Sequence, residues 1–157
     1  MDIVSNHPWT NALHQWRHVI AHGNRCYQLQ AWTEARDCYQ QALAIAEGLL
    51  LAWPEPDIGM SVLVVSHHNL ADACLQLDRL DDAAGHLCSA HEQLQRVAQD
   101  PGASADQQQA ALRHQHRTLQ ELMSFAQRHV QACQCSLRVA RHISEHLIAR
   151  AGGQSLH

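Results

Sequence analysis

Two stretches of this chain share one spacing, and together they decide the fold. Residues 21–43 read AHGNRCYQLQAWTEARDCYQQAL, and residues 68–91 read HNLADACLQLDRLDDAAGHLCSAH. In the first stretch Gly23 precedes Ala35 by twelve residues, and in the second the same interval separates Ala71 from another alanine. A fixed internal spacing is typical of proteins built from repeated structural units. The sequence therefore predicts two related units.

Each unit has the pattern of a helical hairpin. Apolar residues recur at three- and four-residue steps on both sides of short predicted turns at 28–31 and 78–79, and this period is that of an amphipathic helix. Short turns of this kind join antiparallel helices. We expect one hairpin over about residues 9–52 and a second over about 60–98, with the Pro- and Gly-containing segment 53–59 between them.

The third block, about residues 104–151, has no Gly or Pro between Asp106 and Arg150. A single helix of that length would extend about 65–70 Å at about 1.5 Å per residue, which exceeds the ~30–40 Å width of a compact domain of this size. The block either breaks at the polar residues Gln127–His129 to form a third hairpin, or it remains one helix and finds a partner. Its apolar residues fall on a seven-residue step, which indicates one apolar face: Leu112, Leu119, Ala126, Cys133, Ala140 and Leu147.

Composition supports an all-α chain. Hydrophobic residues make up 46% of the 157 residues and charged residues 17%, which is ordinary for a folded domain. Aromatic residues make up only 4%, and four Pro and seven Gly interrupt the chain sparsely. We predict a single all-α domain over residues 1–157 with five or six helices in stacked antiparallel hairpins.

Charge and hydropathy exclude several classes of protein. All eleven basic residues are arginine, against fifteen acidic residues, for a formal net charge of −4; a nucleic-acid partner is not expected from that balance. The longest apolar stretch, near Ser61–Val65, is too short to span a bilayer. Met1–Thr10 lacks the features of a secretory signal. We expect a cytoplasmic chain, with its six cysteines reduced, that acts on neither nucleic acid nor a membrane.

The two units resemble the tetratricopeptide repeat, although Gly23 and Ala71 lie further apart than the family's period of about 34 residues. In that family a small residue on the first helix lets an alanine and an aromatic residue of the second helix pack close, as Gly23, Ala35 and Tyr39 are arranged here. The resemblance implies a right-handed solenoid whose first helices line a concave groove. It also implies a non-enzymatic module that binds a peptide or helix of another protein.

By the resemblance, the groove residues of both units can be assigned by number. Those facing the groove would be Arg17, Ile20, Asn24, Tyr27 and Gln28 from the first unit, and Val65, His68, Asn69, Asp72 and Leu75 from the second. Some family members clamp a peptide carboxylate with asparagines at the positions of Asn24 and Asn69, completed by lysines. Because this chain has no lysine, it favours an amphipathic or extended segment as the bound partner.

Histidine is in excess, with fourteen in the chain, and this suggests an alternative function. His14, His18 and His22 lie four residues apart, as do His142 and His146, and imidazoles at that spacing share a helix face and can chelate Zn²⁺, Cu²⁺ or Ni²⁺. The candidate further ligands are Cys26, one turn after His22, the pair Cys133 and Cys135, and the pair His114 and His116. The alternative is therefore a metal sensor or buffer. The competing interpretation is that histidines fill solvated helix faces, with no cofactor.

We find no catalytic motif, and the carboxylates that cluster at Asp81 and Asp82 suit the start of a helix, where negative charge is favourable. An enzyme is therefore not expected. The third block predicts a homodimer in either geometry. One long helix would leave its Leu112–Leu147 apolar face in water, and in a hairpin the outermost helix presents too wide an apolar arc for one neighbour, at Val139, Ile143, Leu147 and Ile148. Closed two-fold pairs are the commonest oligomers.

Overall fold

Helices account for all the regular secondary structure in residues 7–129 and 136–154, which are the residues that the computed structural model describes. The all-α prediction is confirmed over these ranges. The six helices are α1 (Pro8–Gln28), α2 (Trp32–Leu49), α3 (Pro56–Gln76), α4 (Leu80–Gln99), α5 (Ala105–Arg128) and α6 (Ser136–Gln154).

Local sequence explains where several helices begin. Pro8 and Pro56 open α1 and α3, at a position where the missing N–H would have no helical partner. Ser104 caps α5 with a capping box: its hydroxyl accepts from the Gln107 backbone N–H at 3.1 Å, and the Gln107 side chain accepts from the Ser104 N–H at 2.9 Å.

The turns of the two hairpins have the same structure. Gln30 and Asp78 each adopt a left-handed conformation, with φ of 61° and 57°. The next residue in each turn donates its N–H to a cysteine carbonyl five positions earlier, Ala31 to Cys26 and Arg79 to Cys74, both at 2.9 Å. These are the hydrogen bonds of a Schellman motif. The matched spacing in sequence thus corresponds to matched turns in the structure.

The first hairpin is closed by contact between Gly23 and α2. A Cβ placed on Gly23 would lie 2.7 Å from a ring carbon of Tyr39 and 3.1 Å from the Cβ of Cys38. Ala35 and Ala42, on the same side of α2, are fully buried. Only glycine allows α1 and α2 to approach this closely.

Successive helices pack against one another from α1 to α6, and α3 also packs on α5. Side-chain hydrogen bonds link alternate helices. The Trp16 indole donates to the Ser66 hydroxyl at 2.8 Å, joining α1 to α3, and the Gln93 amide donates to the Glu47 carboxylate at 2.9 Å, joining α4 to α2. The first helices of the two hairpins therefore lie side by side.

The third block is divided into two helices, with α5 ending at Arg128 and α6 packing against α5. The expectation of one apolar face along this block is wrong: Leu119 is buried, whereas Leu112 and Leu147 are 45% and 57% exposed. The seven-residue step assumed one continuous helix, and the fold-back turns α6 toward α4 and α5 on the side of Val139 and His142. Cys133 lies outside the described residues.

Candidate functional site

A polar crevice lies between α1 and α3, with a volume of about 260 Å³. Its walls are formed by the side chains of two first helices and one residue of α2: Asn24, Tyr27, Gln28, Tyr39, Asn69 and Asp72. Five of the six are residues that the resemblance to the tetratricopeptide repeat assigned to the partner-binding groove. The crevice is the candidate functional site.

Tyr39 holds the α1 wall of the crevice in place. Its hydroxyl donates to the Asn24 Oδ1 at 2.8 Å, and its ring is 2% exposed beneath Gly23. Burial raises the pKa of Tyr39 to about 12, so the hydroxyl remains a donor. The Asn24 oxygen keeps a second lone pair, so its side-chain amide can still both donate to and accept from a ligand.

Tyr27 closes one end of the crevice. Its ring stands edge-on to Trp32, with centroids 4.8 Å apart, and its hydroxyl accepts from the Gln76 side-chain amide of α3 at 3.4 Å. These contacts fix the ring between the two hairpins. The crevice therefore has a rigid aromatic wall at this end.

Asp72 gives the opposite wall an acidic character. Burial raises the pKa of its carboxyl group, the nearby Glu121 of α5 raises it further, and Arg128 opposes the shift. Asp72 nevertheless stays exposed on α3, and a carboxylate beside a second carboxylate gains from a cation or an N–H donor. The crevice thus favours a partner group of that kind.

His68 lies one residue before Asn69 on α3 and is half-buried. Burial lowers its pKa to about 4, with Glu121 raising it and Arg117 lowering it. The ring is therefore neutral at pH 7. Its Nε2 atom is buried and has no hydrogen-bond partner among the described residues.

The other predicted groove residues lie away from the crevice lining. Arg17 is exposed on α1, and Ile20 is 9% exposed and belongs to the hydrophobic core. Val65 and Leu75 are half-buried and pack on the core from α3. Tyr39 was the lining residue that sequence reasoning missed: its ring was expected against Gly23, and no sequence signal showed that its hydroxyl reaches Asn24.

The predicted metal-binding histidines fall into two different environments. His14, His18 and His22 are exposed on α1. His142 is instead 3% exposed: its Nε2 lies 2.9 Å from a Glu92 carboxylate oxygen, and its ring centroid lies 5.0 Å from that of His91. His142 is therefore packed against α4.

His146 is half-buried beside this contact, in a second crevice of about 430 Å³ between α4, α5 and α6. Of the candidate further ligands, Cys26 lies near a histidine, with its Sγ 3.9 Å from the Nε2 of His22. His114 instead contacts Asp57 at 3.2 Å, and Cys133 and Cys135 lie outside the described residues. Among the residues described, one set of three potential ligands has all its ligand atoms within 4.8 Å of one another, and it consists of His22, Cys26 and Cys38.

In class, this is an all-α protein of helical hairpins with a polar crevice between the first two. A family model matches residues 14–151, and the chain belongs to that family, which is described as Protein of unknown function (DUF2753). No curated protein and no solved structure matches the chain. Over residues 7–129 and 136–154, no helix has both the length and the hydropathy needed to cross a membrane.

Proposed function

We propose that this protein is a cytoplasmic, non-enzymatic interaction module of the tetratricopeptide-like type, and that it binds a segment of another protein in the crevice between α1 and α3. The observation that carries the proposal is the lining of the crevice. Residues from equivalent helices of two related hairpins, Asn24, Gln28 and Asn69 among them, meet there around one polar cavity.

The chemistry of the lining suits a peptide. Asn24, Gln28 and Asn69 offer side-chain amides, which can both donate to and accept from a peptide backbone. Tyr27 adds a fixed aromatic surface, and aromatic residues are enriched where proteins bind one another. An extended segment, whose backbone groups are not used in a helix, matches these groups best.

The charges of the crevice favour a basic residue in the bound segment. Burial and the neighbouring Glu121 both disfavour the ionised form of Asp72. A lysine or arginine of the partner would relieve that repulsion and pair with Asp72. We therefore propose a partner segment with a basic side chain at the Asp72 end.

The test is a pull-down from the source cell with the immobilised full-length chain. Asn24→Ala, Tyr27→Ala and Asn69→Ala in one variant should release the partner that the unaltered chain retains. A matched control variant, Gln40→Ala with Gln41→Ala, removes exposed side chains of α2 outside the crevice lining and should retain it.

Circular dichroism melting of each variant establishes that the fold is kept, since loss of Asn24 leaves the Tyr39 hydroxyl without its acceptor. Retention of every partner by the folded triple variant would contradict the groove assignment.

A second observation favours self-association through α6, which we propose as the dimer contact. Leu147 and Ile148 are 57% and 72% exposed on adjacent positions of this helix. Leu112 of α5 is also exposed, at 45%. Covering this apolar surface with a second copy would remove it from water and stabilise the dimer by about 25 cal/mol for each Å² buried.

A further inference from the structure

Three side chains with metal-ligating atoms meet on the surface of the first hairpin. His22 and Cys26 come from α1, and Cys38 comes from α2. Their ligand atoms all lie within 4.8 Å of one another. The cluster is separate from the crevice lining, although Cys38 is next in sequence to Tyr39.

Helix geometry explains why these residues meet. Cys26 follows His22 by four residues, so both side chains lie on one face of α1. Cys38 reaches that face because α2 crosses α1 at Gly23, where a Cβ would lie 3.1 Å from the Cβ of Cys38. The same close approach that closes the hairpin brings in the third ligand.

One distance in the cluster is close to that of a tetrahedral zinc site. Bonds of about 2.3 Å to sulfur and about 2.0–2.1 Å to nitrogen at tetrahedral angles place those two ligand atoms about 3.6 Å apart. The Sγ of Cys26 lies 3.9 Å from the Nε2 of His22. A shift of a few tenths of an ångström would bring these two atoms to the separation found in a tetrahedral site.

We propose that His22, Cys26 and Cys38 bind one Zn²⁺ ion, with the fourth position open to water or to an exogenous ligand. Two thiolates and an imidazole are ligands that zinc favours. The site joins the two helices of one hairpin, so bound zinc would fasten α1 to α2 directly behind the crevice.

The protonation of the two cysteines changes when the ion binds. Without it, burial raises the pKa of the Cys38 thiol, and the neighbouring Cys26 and Asp37 raise it further. A divalent cation favours the deprotonated form of a coordinating thiol. Binding by both cysteines therefore releases two protons to solvent and leaves the two thiolates balanced by the charge of the ion.

One neighbouring contact must open for zinc to bind. Arg25 Nη2 lies 3.5 Å from the Nδ1 of His22, and an imidazole bound to zinc through Nε2 carries its proton on Nδ1. Arg25 is exposed, so its guanidinium can turn into solvent. The freed Nδ1–H then points to water.

The experiment is a calorimetric titration of the reduced, full-length chain with Zn²⁺ alone. All proteins carry Cys133→Ser and Cys135→Ser, which remove the thiols that lie outside the described residues. One ion per chain should bind, with a Kd tighter than about 1 μM.

His22→Ala and Cys38→Ser should each weaken binding at least about tenfold. His18→Ala, one turn earlier on the exposed face of α1 and outside the cluster, should leave the Kd unchanged. Co²⁺ in place of Zn²⁺ adds a spectroscopic readout: thiolate-to-cobalt charge-transfer absorption should be present in His18→Ala and absent from a variant with both Cys26→Ser and Cys38→Ser.

Equal zinc affinity in the parent and in His22→Ala would overturn the proposal. Because His22 is exposed, the His22→Ala variant should keep the fold, so it tests zinc binding even if Cys38→Ser does not fold. A Cys26–Cys38 disulfide in the untreated protein, together with no zinc binding after reduction, would also overturn it and identify the pair as redox partners instead.

Discussion

Replacing Gly23 with alanine perturbs the contact between α1 and α2 that closes the first hairpin. The added Cβ would lie 2.7 and 2.9 Å from two ring carbons of Tyr39 and 3.1 Å from the Cβ of Cys38. The Tyr39 ring has little room to move, because it is buried and its hydroxyl is bonded to Asn24. The helices must therefore separate.

The magnitude follows from two opposing effects. Overpacking of a buried contact costs about 1–3 kcal/mol, and replacing a helical glycine with alanine gains about 1 kcal/mol from helix propensity. The net result for Gly23→Ala is a loss of about 1 kcal/mol in the free energy of unfolding. Gly85→Ala is the matched control, because it lies inside α4 and its Cβ would meet no atom within 4 Å.

The control should therefore gain about 1 kcal/mol, since only helix propensity acts there. Urea denaturation followed by circular dichroism measures both variants, and the expected difference between them is about 2 kcal/mol. Thermal melting should separate them by roughly 4–8 °C in a chain of this size. If Gly23→Ala proves as stable as Gly85→Ala, the close approach of α1 to α2 is wrong.

Two further predictions concern the stability of the protein at low pH and its assembly into a dimer. Burial lowers the pKa of His67 to about 3 and of His91 to about 4, against an ordinary value of 6.5. The unfolded chain therefore binds more protons below pH 6.5, and each histidine should remove about 2 kcal/mol of stability by pH 5; denaturation midpoints that stay flat from pH 7 to 5 would refute this. Light scattering should find a dimer at tens of micromolar that Leu147→Glu with Ile148→Glu converts to a folded monomer, and a monomeric unaltered chain would refute that contact.

Features governed by local rules could be predicted from the sequence. The hairpin turns were placed at Gln28–Ala31 and Asp78-Arg79, and the left-handed residues Gln30 and Asp78 lie there. The contact of Gly23 with Tyr39 was implied by the resemblance to the tetratricopeptide repeat. Helix periodicity and turn chemistry depend on residues close in sequence, so they can be read from a single chain.

Features that depend on packing between helices distant in sequence could not be predicted from the sequence. His142 was paired with His146 as a candidate metal ligand, because nothing local shows that Glu92 of α4 lies 2.9 Å from its ring. The spacing of His22 and Cys26 was visible, whereas the third ligand, Cys38, depends on how closely α2 crosses α1. The apolar face of the third block was misjudged because α6 folds back on α5.

Site-specific photo-crosslinking in the source cell tests most directly whether the crevice binds a partner segment. A photoreactive residue at Gln28, in the crevice wall, should capture one discrete partner, and the same residue at Gln40, exposed on α2 outside the lining, should not. Adding Asn69→Ala and Tyr27→Ala should abolish the adduct. Equal capture from Gln28 and Gln40, or an adduct that survives both substitutions, would contradict a partner-binding role for the crevice.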